Sequence, residues 1–347
     1  MRFSSRASRL GESATLKVAQ RARELRAAGV EVVDLSAGEP DFASPPAAVS
    51  AARQALADGF TKYTPAAGIP ELRQALADRY RELCGAPWKS PQVLVSVGAK
   101  SGLFELALAL FDEGDEVILP SPYWVSFPEY IRFAGASPVT VECSVEDGFL
   151  IHADAILEAL TPSTRAVLLN SPCNPTGGVV AAGDLEAIVE ACAGRGILLL
   201  SDETYERFVY DGAPFATAAA LASRFPETVV LVGSFSKAYA MTGWRVGFAL
   251  GPDELIRKAA AIQSHATSNP TSFAMVGALA ALREAEAEVE AMIAEYQERR
   301  DLVSRGLAEI PGVELRPPAG AFYAFPRCAD CYRVGRRGSV ALAEFLL

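Results

Sequence analysis

Short apolar runs separated by longer helical patterns are what most limits the folds open to this chain. The runs Val93 to Val97, Glu116 to Leu119, Ala166 to Leu169, Ile197 to Leu200, Thr228 to Val232 and Val246 to Leu250 have strand length, and stretches of helical periodicity lie between them. That alternation predicts an α/β fold, with a mostly parallel central sheet and helices on both faces. In such sheets ligands bind beyond the carboxyl ends of the strands. The residues that follow the runs are therefore the ones to read for chemistry, and they are polar loops shaped by Gly or Pro. They include Gly98-Ala99-Lys100-Ser101, Ser121-Pro122-Tyr123-Trp124, Asn170 to Gly178, Ser201-Asp202-Glu203-Thr204-Tyr205 and Ser234-Phe235-Ser236-Lys237. Their convergence on one rim predicts a site there.

With 347 residues, half of them hydrophobic, the chain supports a large core. Residues 47–283 read as the large domain. The flanks read as a smaller α/β domain built from both chain ends. Residues 1–46 contribute an amphipathic stretch from Leu16 to Ala28, and residues 284–347 a helical pattern from Ala285 to Leu307 and a strand-like run from Gly320 to Phe325. The final run, Val340 to Leu347, reads as a helix capped by Ser339 that stops on apolar residues. Such an ending suits an incomplete chain, or a terminus buried in a partner.

A formal net charge of −10 argues against a nucleic-acid partner. No stretch has the length of a membrane span, and Met1-Arg2-Phe3-Ser4-Ser5-Arg6 lacks the apolar centre of a signal peptide, so a cytoplasmic protein without membrane partners is expected. The six cysteines are dispersed, which makes reduced thiols the default. Cys328-x-x-Cys331 is open to a metal or redox reading, but it has no second pair and no nearby histidine. With only His152 and His265 in the chain, neither a histidine-rich metal centre nor a Ser-His-Asp triad is well supported.

Lys237 stands among Ser, Ala, Met and Trp, surroundings that desolvate an amine and lower its pKa. Such an amine can form a Schiff base with a carbonyl, including the aldehyde of pyridoxal phosphate. The loop alone equally suits a partly buried lysine with no chemistry. Each neighbouring loop has a similar pair of readings. The turn Gly98-Ala99-Lys100 at a helix start offers backbone N–H groups to a phosphate, or merely connects two elements. Ser234, Ser236 and Arg245 can complete that cradle, Arg245 as a bidentate ligand. Asp202 can keep a pyridine nitrogen protonated, or cap a helix. Tyr205 and Asn174 can hydrogen-bond a phenolic oxygen of the ring, and Trp124 can stack on it or belong to the core.

Taken in order, the loops Ala37-Gly38-Glu39-Pro40-Asp41-Phe42, Ser121-Pro122-Tyr123-Trp124, Asn174-Pro175-Thr176-Gly177, Ser201-Asp202-Glu203-Thr204-Tyr205 and Ser234 through Arg245 resemble the class I aminotransferases. The likeness runs from near Ser13 to about Phe325 and is greatest to the bacterial aspartate aminotransferase branch. It implies a fold-type I pyridoxal-phosphate enzyme, working as a homodimer with shared active sites. It implies that Lys237 is the Schiff-base lysine and the acid/base that moves a proton at the substrate Cα. Asp202 would pair with the pyridine nitrogen, Tyr205 and Asn174 would contact the phenolic oxygen, and Trp124 would pack on the ring beside the substrate. Gly98, Ala99, Lys100, Ser234, Ser236 and Arg245 would surround the phosphate, which Tyr63 would reach from the other subunit. Asn174 and the Gly38 backbone would meet the substrate α-carboxylate, and Ser13, Thr15 and Lys100 would grip a distal carboxylate.

The implied reaction is a ping-pong transamination between an amino acid, aspartate or glutamate first, and a 2-oxo acid. Gly11-Glu12 stands where relatives commonly carry Lys-Pro, which leaves aromatic, alanine or prephenate specificity open. A pyridoxal-dependent C–S lyase, or a lyase like aminocyclopropane-carboxylate synthase, is the alternative on the same scaffold. A third reading is an inactive, truncated cofactor-binding product. The family clamps the substrate carboxylate with an arginine downstream of the helix near Ser339, and this sequence stops before that position. Arg333, Arg336 and Arg337 do not match its context.

Overall fold

The computed structural model describes residues 3–4, 14–35, 38–332 and 338–346. The first half holds α1 (Ala14–Ala27), α2 (Pro46–Ala57), α3 (Pro70–Cys84), β1 (Val93–Ser96), α4 (Gly98–Leu110), β2 (Glu116–Ser121), α5 (Phe127–Ala134), β3 (Ser137–Glu142), α6 (Ala153–Glu158) and β4 (Thr164–Asn170). The second half holds α7 (Ala182–Arg195), β5 (Leu198–Asp202), β6 (Val229–Ser234), α8 (Phe235–Ala238), β7 (Gly247–Leu250), α9 (Asp253–Ala266), α10 (Ser272–Glu284), α11 (Glu286–Ala308) and α12 (Ser339–Leu346).

The strands form one seven-stranded sheet in the order β1-β7-β6-β5-β4-β2-β3. β7 runs antiparallel to both of its neighbours, β1 and β6, and the remaining pairs are parallel. A strand reversed between two others leaves those two pointing the same way. Every strand but β7 therefore ends at one rim, and β7 begins there. The expected mostly parallel sheet is the one observed.

Helices cover both faces, and strand pleating explains how. Val93, Val95, Val167, Leu169, Val229 and Leu231 face one core with residues of α3, α7 and α10. Their alternates Leu94, Ala166, Leu168, Val230 and Val232 face a second core with residues of α4, α5 and α9. With both faces dry, the strands read as continuous apolar runs, which made them visible in sequence. A third cluster joins Tyr205, Phe208 and Tyr210 to Met292 and Tyr296 of α11, with Phe42, Phe322 and Tyr323 packed against it. Helix α12 approaches α1, so segments near both ends of the chain meet. No helix among the described residues is long and apolar enough to cross a membrane.

Three features differ from expectation. Strand β3 has no apolar run to announce it: it is an edge strand, mostly exposed or half-buried, and it carries Pro138. Gly320 to Phe325 is not a strand. It makes a single bridge, from Gly320 to Val209, and at Ala321 the backbone turns through φ +55°. Its apolar residues instead face the aromatic cluster. Ser339 is the first residue of α12 and not its cap, and its hydroxyl lies 3.1 Å from the Tyr332 hydroxyl.

Helices α2 and α10 pack with little space between them. A Cβ at Gly277 would fall 2.4 Å from the Trp244 ring and 2.9 Å from the Ala48 carbonyl oxygen. Gly277→Ala should lower the urea midpoint, because overpacking of about 1–3 kcal/mol outweighs about 1 kcal/mol of helix propensity. Gly306→Ala in α11, where a Cβ meets nothing within 4 Å, should raise it.

Candidate functional site

Lys237 sits on α8, which starts where β6 ends. The Ser234 hydroxyl caps this turn by accepting from the Ser236 amide at 3.0 Å. The Lys237 amine donates to the Gly38 carbonyl oxygen. It lies 6.0 Å from the Tyr205 ring centroid and 5.6 Å from that of Phe322. Burial pulls its pKa down to about 8; Glu39 opposes this, while Arg245 and Lys100 push the same way. The amine is therefore far closer to neutrality than a surface lysine.

A corner rich in hydrogen-bond donors lies beside it. Gly98 opens α4 with φ +74°, and a Cβ there would fall 2.3 Å from the Arg245 guanidinium. Gly247, which pairs with both Ser96 and Ser234, is equally constrained: a Cβ would lie 2.2 Å from the Ala99 amide nitrogen. The Ser96 hydroxyl donates to the Gly98 carbonyl at 3.0 Å and fixes the turn. Arg245 itself has φ +56° and donates to the Thr242 carbonyl at 2.8 Å. The first amides of α4 have no partner within the helix, so backbone donors and the Arg245 guanidinium share one corner. Lys100 reaches over the Trp124 ring, 4.7 Å from its centroid, and burial followed by Arg245 lowers its pKa.

Asp202 ends β5 in register with Asn170 at the end of β4. Its carboxylate is buried and accepts from the Thr204 amide at 3.0 Å; burial pushes its pKa up. The Asn170 side chain donates to the Asp202 carbonyl at 3.0 Å and accepts from the Asn174 amide at 2.7 Å, which ties the two loops together. The Asn174 side-chain amide donates to the Tyr323 hydroxyl at 3.3 Å, and that hydroxyl lies 2.5 Å from the Tyr205 hydroxyl.

Tyr323 was not among the sequence candidates. Its phenol lies so near Gly38 that a Cβ there would meet it at 2.7 Å. The pair Phe322-Tyr323 after Gly320-Ala321 was the available signal, hidden by the strand-like reading of that segment. Trp124, half-buried, stands edge-on to Phe127 at 5.4 Å and to Tyr130 at 6.1 Å.

The rim thus brings together Gly38, Gly98, Ala99, Lys100, Trp124, Asn174, Asp202, Tyr205, Ser234, Ser236, Lys237 and Arg245. Tyr63 is 87 % exposed. Ser13, Arg333, Arg336 and Arg337 lie outside the described residues, as does the side chain of Thr15 on α1. Cys328 and Cys331 are free, and their sulfurs contact different carbonyls, those of Pro326 and Gly312. Among the described residues no cluster of His, Cys, Asp and Glu could hold a metal ion. An amine of lowered pKa, a buried carboxylate, paired phenols and a corner of donors together suit a ligand with an electrophilic carbon, a basic ring nitrogen and a phosphate.

Residues 30–339 match the family described as aminotransferase class I and II. The chain is 42 % identical over 330 residues to an aspartate aminotransferase of Geobacillus stearothermophilus, covering 95 % of this chain and 84 % of that one. It is 44 % identical over 347 residues to a probable aspartate/prephenate aminotransferase of Aquifex aeolicus, covering 99 % and 88 %. Among solved structures, an aspartate aminotransferase from Thermus thermophilus with maleate superposes with a TM-score of 0.90 at 44 % identity, covering 94 % of this chain and 85 % of that one.

The lowered pKa of Lys237 makes its reactivity depend on pH. With cofactor removed, acylation of this amine should rise with pH through a midpoint near 8, as the neutral form grows. Peptide mapping of the modified chain gives the midpoint, and a Lys237 profile that rises only near 10 would contradict the burial argument.

Proposed function

This chain belongs to the class I and II aminotransferases, and we propose that it is a pyridoxal-phosphate-dependent transaminase whose first-choice amino donor is aspartate or glutamate. The observation that carries this is the half-buried Lys237 amine, lowered to about 8, on the same sheet rim as the buried Asp202 carboxylate. The residues present fit the cofactor. Gly98 leaves space where a Cβ would strike Arg245, and the donors gathered there are of the kind that a phosphate requires. Bound there, the cofactor supplies a ring that accepts the electrons left when the substrate Cα loses its proton.

The remaining work falls to the chain's own groups. Lys237 would provide the covalent anchor and then, as a free amine with a pKa near neutrality, would take a proton from the substrate Cα and return it. Asp202 would hold a negative charge against the ring nitrogen and keep it protonated. Asn174 and the Tyr205 and Tyr323 hydroxyls form a hydrogen-bonded set that would face the phenolic oxygen. Arg245, Ser234, Ser236 and the first turn of α4 would hold the phosphate. Trp124 would cover one ring face and exclude water. The Gly38 backbone and Asn174 would meet the substrate α-carboxylate, with Lys100, Ser13 and Thr15 toward a distal carboxylate. The named activities of the relatives, aspartate and aspartate/prephenate transamination, support this substrate order.

We further infer a homodimer, for which the exposed Tyr63 is a candidate contact with the partner's phosphate site. Residues 1–46 and 284–347 would form a smaller unit beside a cofactor-holding unit of residues 47–283. The aromatic cluster that links α11 to the Tyr205 loop supports a site at their border.

Borohydride treatment of the loaded protein should fix the cofactor covalently, and Lys237→Ala should abolish that linkage; an adduct retained in the variant would refute the anchor. Aspartate without any oxo acid should convert the bound cofactor's absorbance in a single turnover, and 2-oxoglutarate should reverse the change. Release of pyruvate and ammonia from cystathionine with no acceptor present would instead assign a lyase.

A further inference from the structure

We propose that Thr204 and Tyr130 are positioning residues for Asp202, two buried hydroxyls left without a partner that would donate to its carboxylate. The inference rests on the transaminase reading for its purpose, but its geometry stands apart from it. The Thr204 Oγ1 and the Tyr130 hydroxyl are both buried, and neither has a well-formed hydrogen-bond partner. A hydroxyl shut away from water without a partner costs more than a hydrogen bond gains, so each calls for an acceptor.

Asp202 is the carboxylate that already meets the Thr204 backbone and whose charge bears on Tyr130. One of its oxygens takes the Thr204 amide at 3.0 Å, and a carboxylate has room for about three more donors. The Thr204 side chain favours the ionised carboxyl, although it does not complete a bond of good geometry. Tyr130 arrives from α5, its ring edge-on to Trp124 at 6.1 Å and to Phe104 at 5.9 Å. Its phenol lies in the fields of both Asp202 and Arg245, with Ser126 close by on the preceding turn.

The other titratable groups in the field of Asp202 already have contacts. Tyr205 and Tyr323 meet each other, and the Cys173 sulfur faces the Pro122 carbonyl oxygen at 3.5 Å. The two free hydroxyls are left to donate to Asp202, directly or across one water.

Burial alone pushes the Asp202 carboxyl toward its neutral form, and hydrogen bonds to the charged form oppose this. Without the two hydroxyls, Asp202 would hold its charge less firmly, and a ring nitrogen placed against it would lose its counter-charge.

The test uses the full chain, with Thr204→Val, Tyr130→Phe, the double variant, and Thr204→Ser as the conservative control. In the cofactor-free protein, the Asp202 carboxylate stretch is isolated as an infrared difference against Asp202→Asn and titrated with pH. Its midpoint should rise by about one pH unit in each single variant, further in the double variant, and return toward wild type in Thr204→Ser. In the loaded protein, the cofactor Kd should rise about tenfold per lost donor. Here kcat for aspartate should fall while KM changes little.

Unchanged midpoints and Kd values in variants with wild-type circular dichroism would overturn the inference. Failure of the transaminase reading would show itself differently, as a wild-type protein with no borohydride-fixed cofactor, and it would leave the infrared result to decide the role of the two hydroxyls. A variant that misfolds is replaced by Tyr130→Leu or Thr204→Ala, judged by the same midpoint.

Discussion

A sheet that is dry on both faces has nowhere to put polarity except its edges and ends, and this constraint organises the molecule. The strands are apolar in both registers through their middles, and each of five ends on a polar residue: Ser96, Ser121, Asn170, Asp202 and Ser234. The reversed β7 adds to the same rim from the other direction. Its first residue, Gly247, lies between Ser96 and Ser234 with no space for a side chain, and that close fit presses the start of α4 against Arg245. That corner of donors is thus a product of backbone packing. Side chains complete it, but they do not create it.

The same dryness sets the electrostatics. Burial opposes charge on both the amine and the carboxylate, lowering one pKa and raising the other. For Lys237 the displacement from 10.5 to about 8 corresponds to roughly 3 kcal/mol in favour of the neutral amine. Two cations nearby, Arg245 and Lys100, act in the same sense, so the positive corner reinforces the desolvation. Asp202 has no such ally; the structure holds it by donors instead. The rim thus sets an amine whose charge is disfavoured and a carboxylate that accepts from the Thr204 amide within a few strands of each other.

Much of this was visible in the sequence, for a physical reason. Strands buried on both faces leave continuous apolar runs, and loops at their ends must break them, so the runs at 93–97, 166–169 and 228–232 and the polar residues after them stand out. Lys237, Asp202, Asn174 and Arg245 all stand in those loops. What escaped notice depends on long-range packing. Strand β3 lies at an edge and needs no apolar run. Tyr323 reaches Asn174 across nearly half the chain, and its own segment looks like a strand because aromatic residues suit strands as well as clusters. Thr204 and Tyr130 resemble ordinary turn and helix residues until the structure shows their hydroxyls sealed from water. Sequence patterns record which way a residue faces, but not whether its polar atom finds company.

Lys237 and Arg245 hang from one antiparallel pair, β6 and β7, and a single short connection separates them. Their spacing is thus set by covalent chain and ladder hydrogen bonds, whereas Tyr323 and Lys100 are held in place by contacts between separate elements. On heating, the second kind of restraint loosens first. The site should then lose its selectivity before its grip: a warmed protein would keep the amine and guanidinium at a fixed span while the walls that sort one ligand from another grow slack.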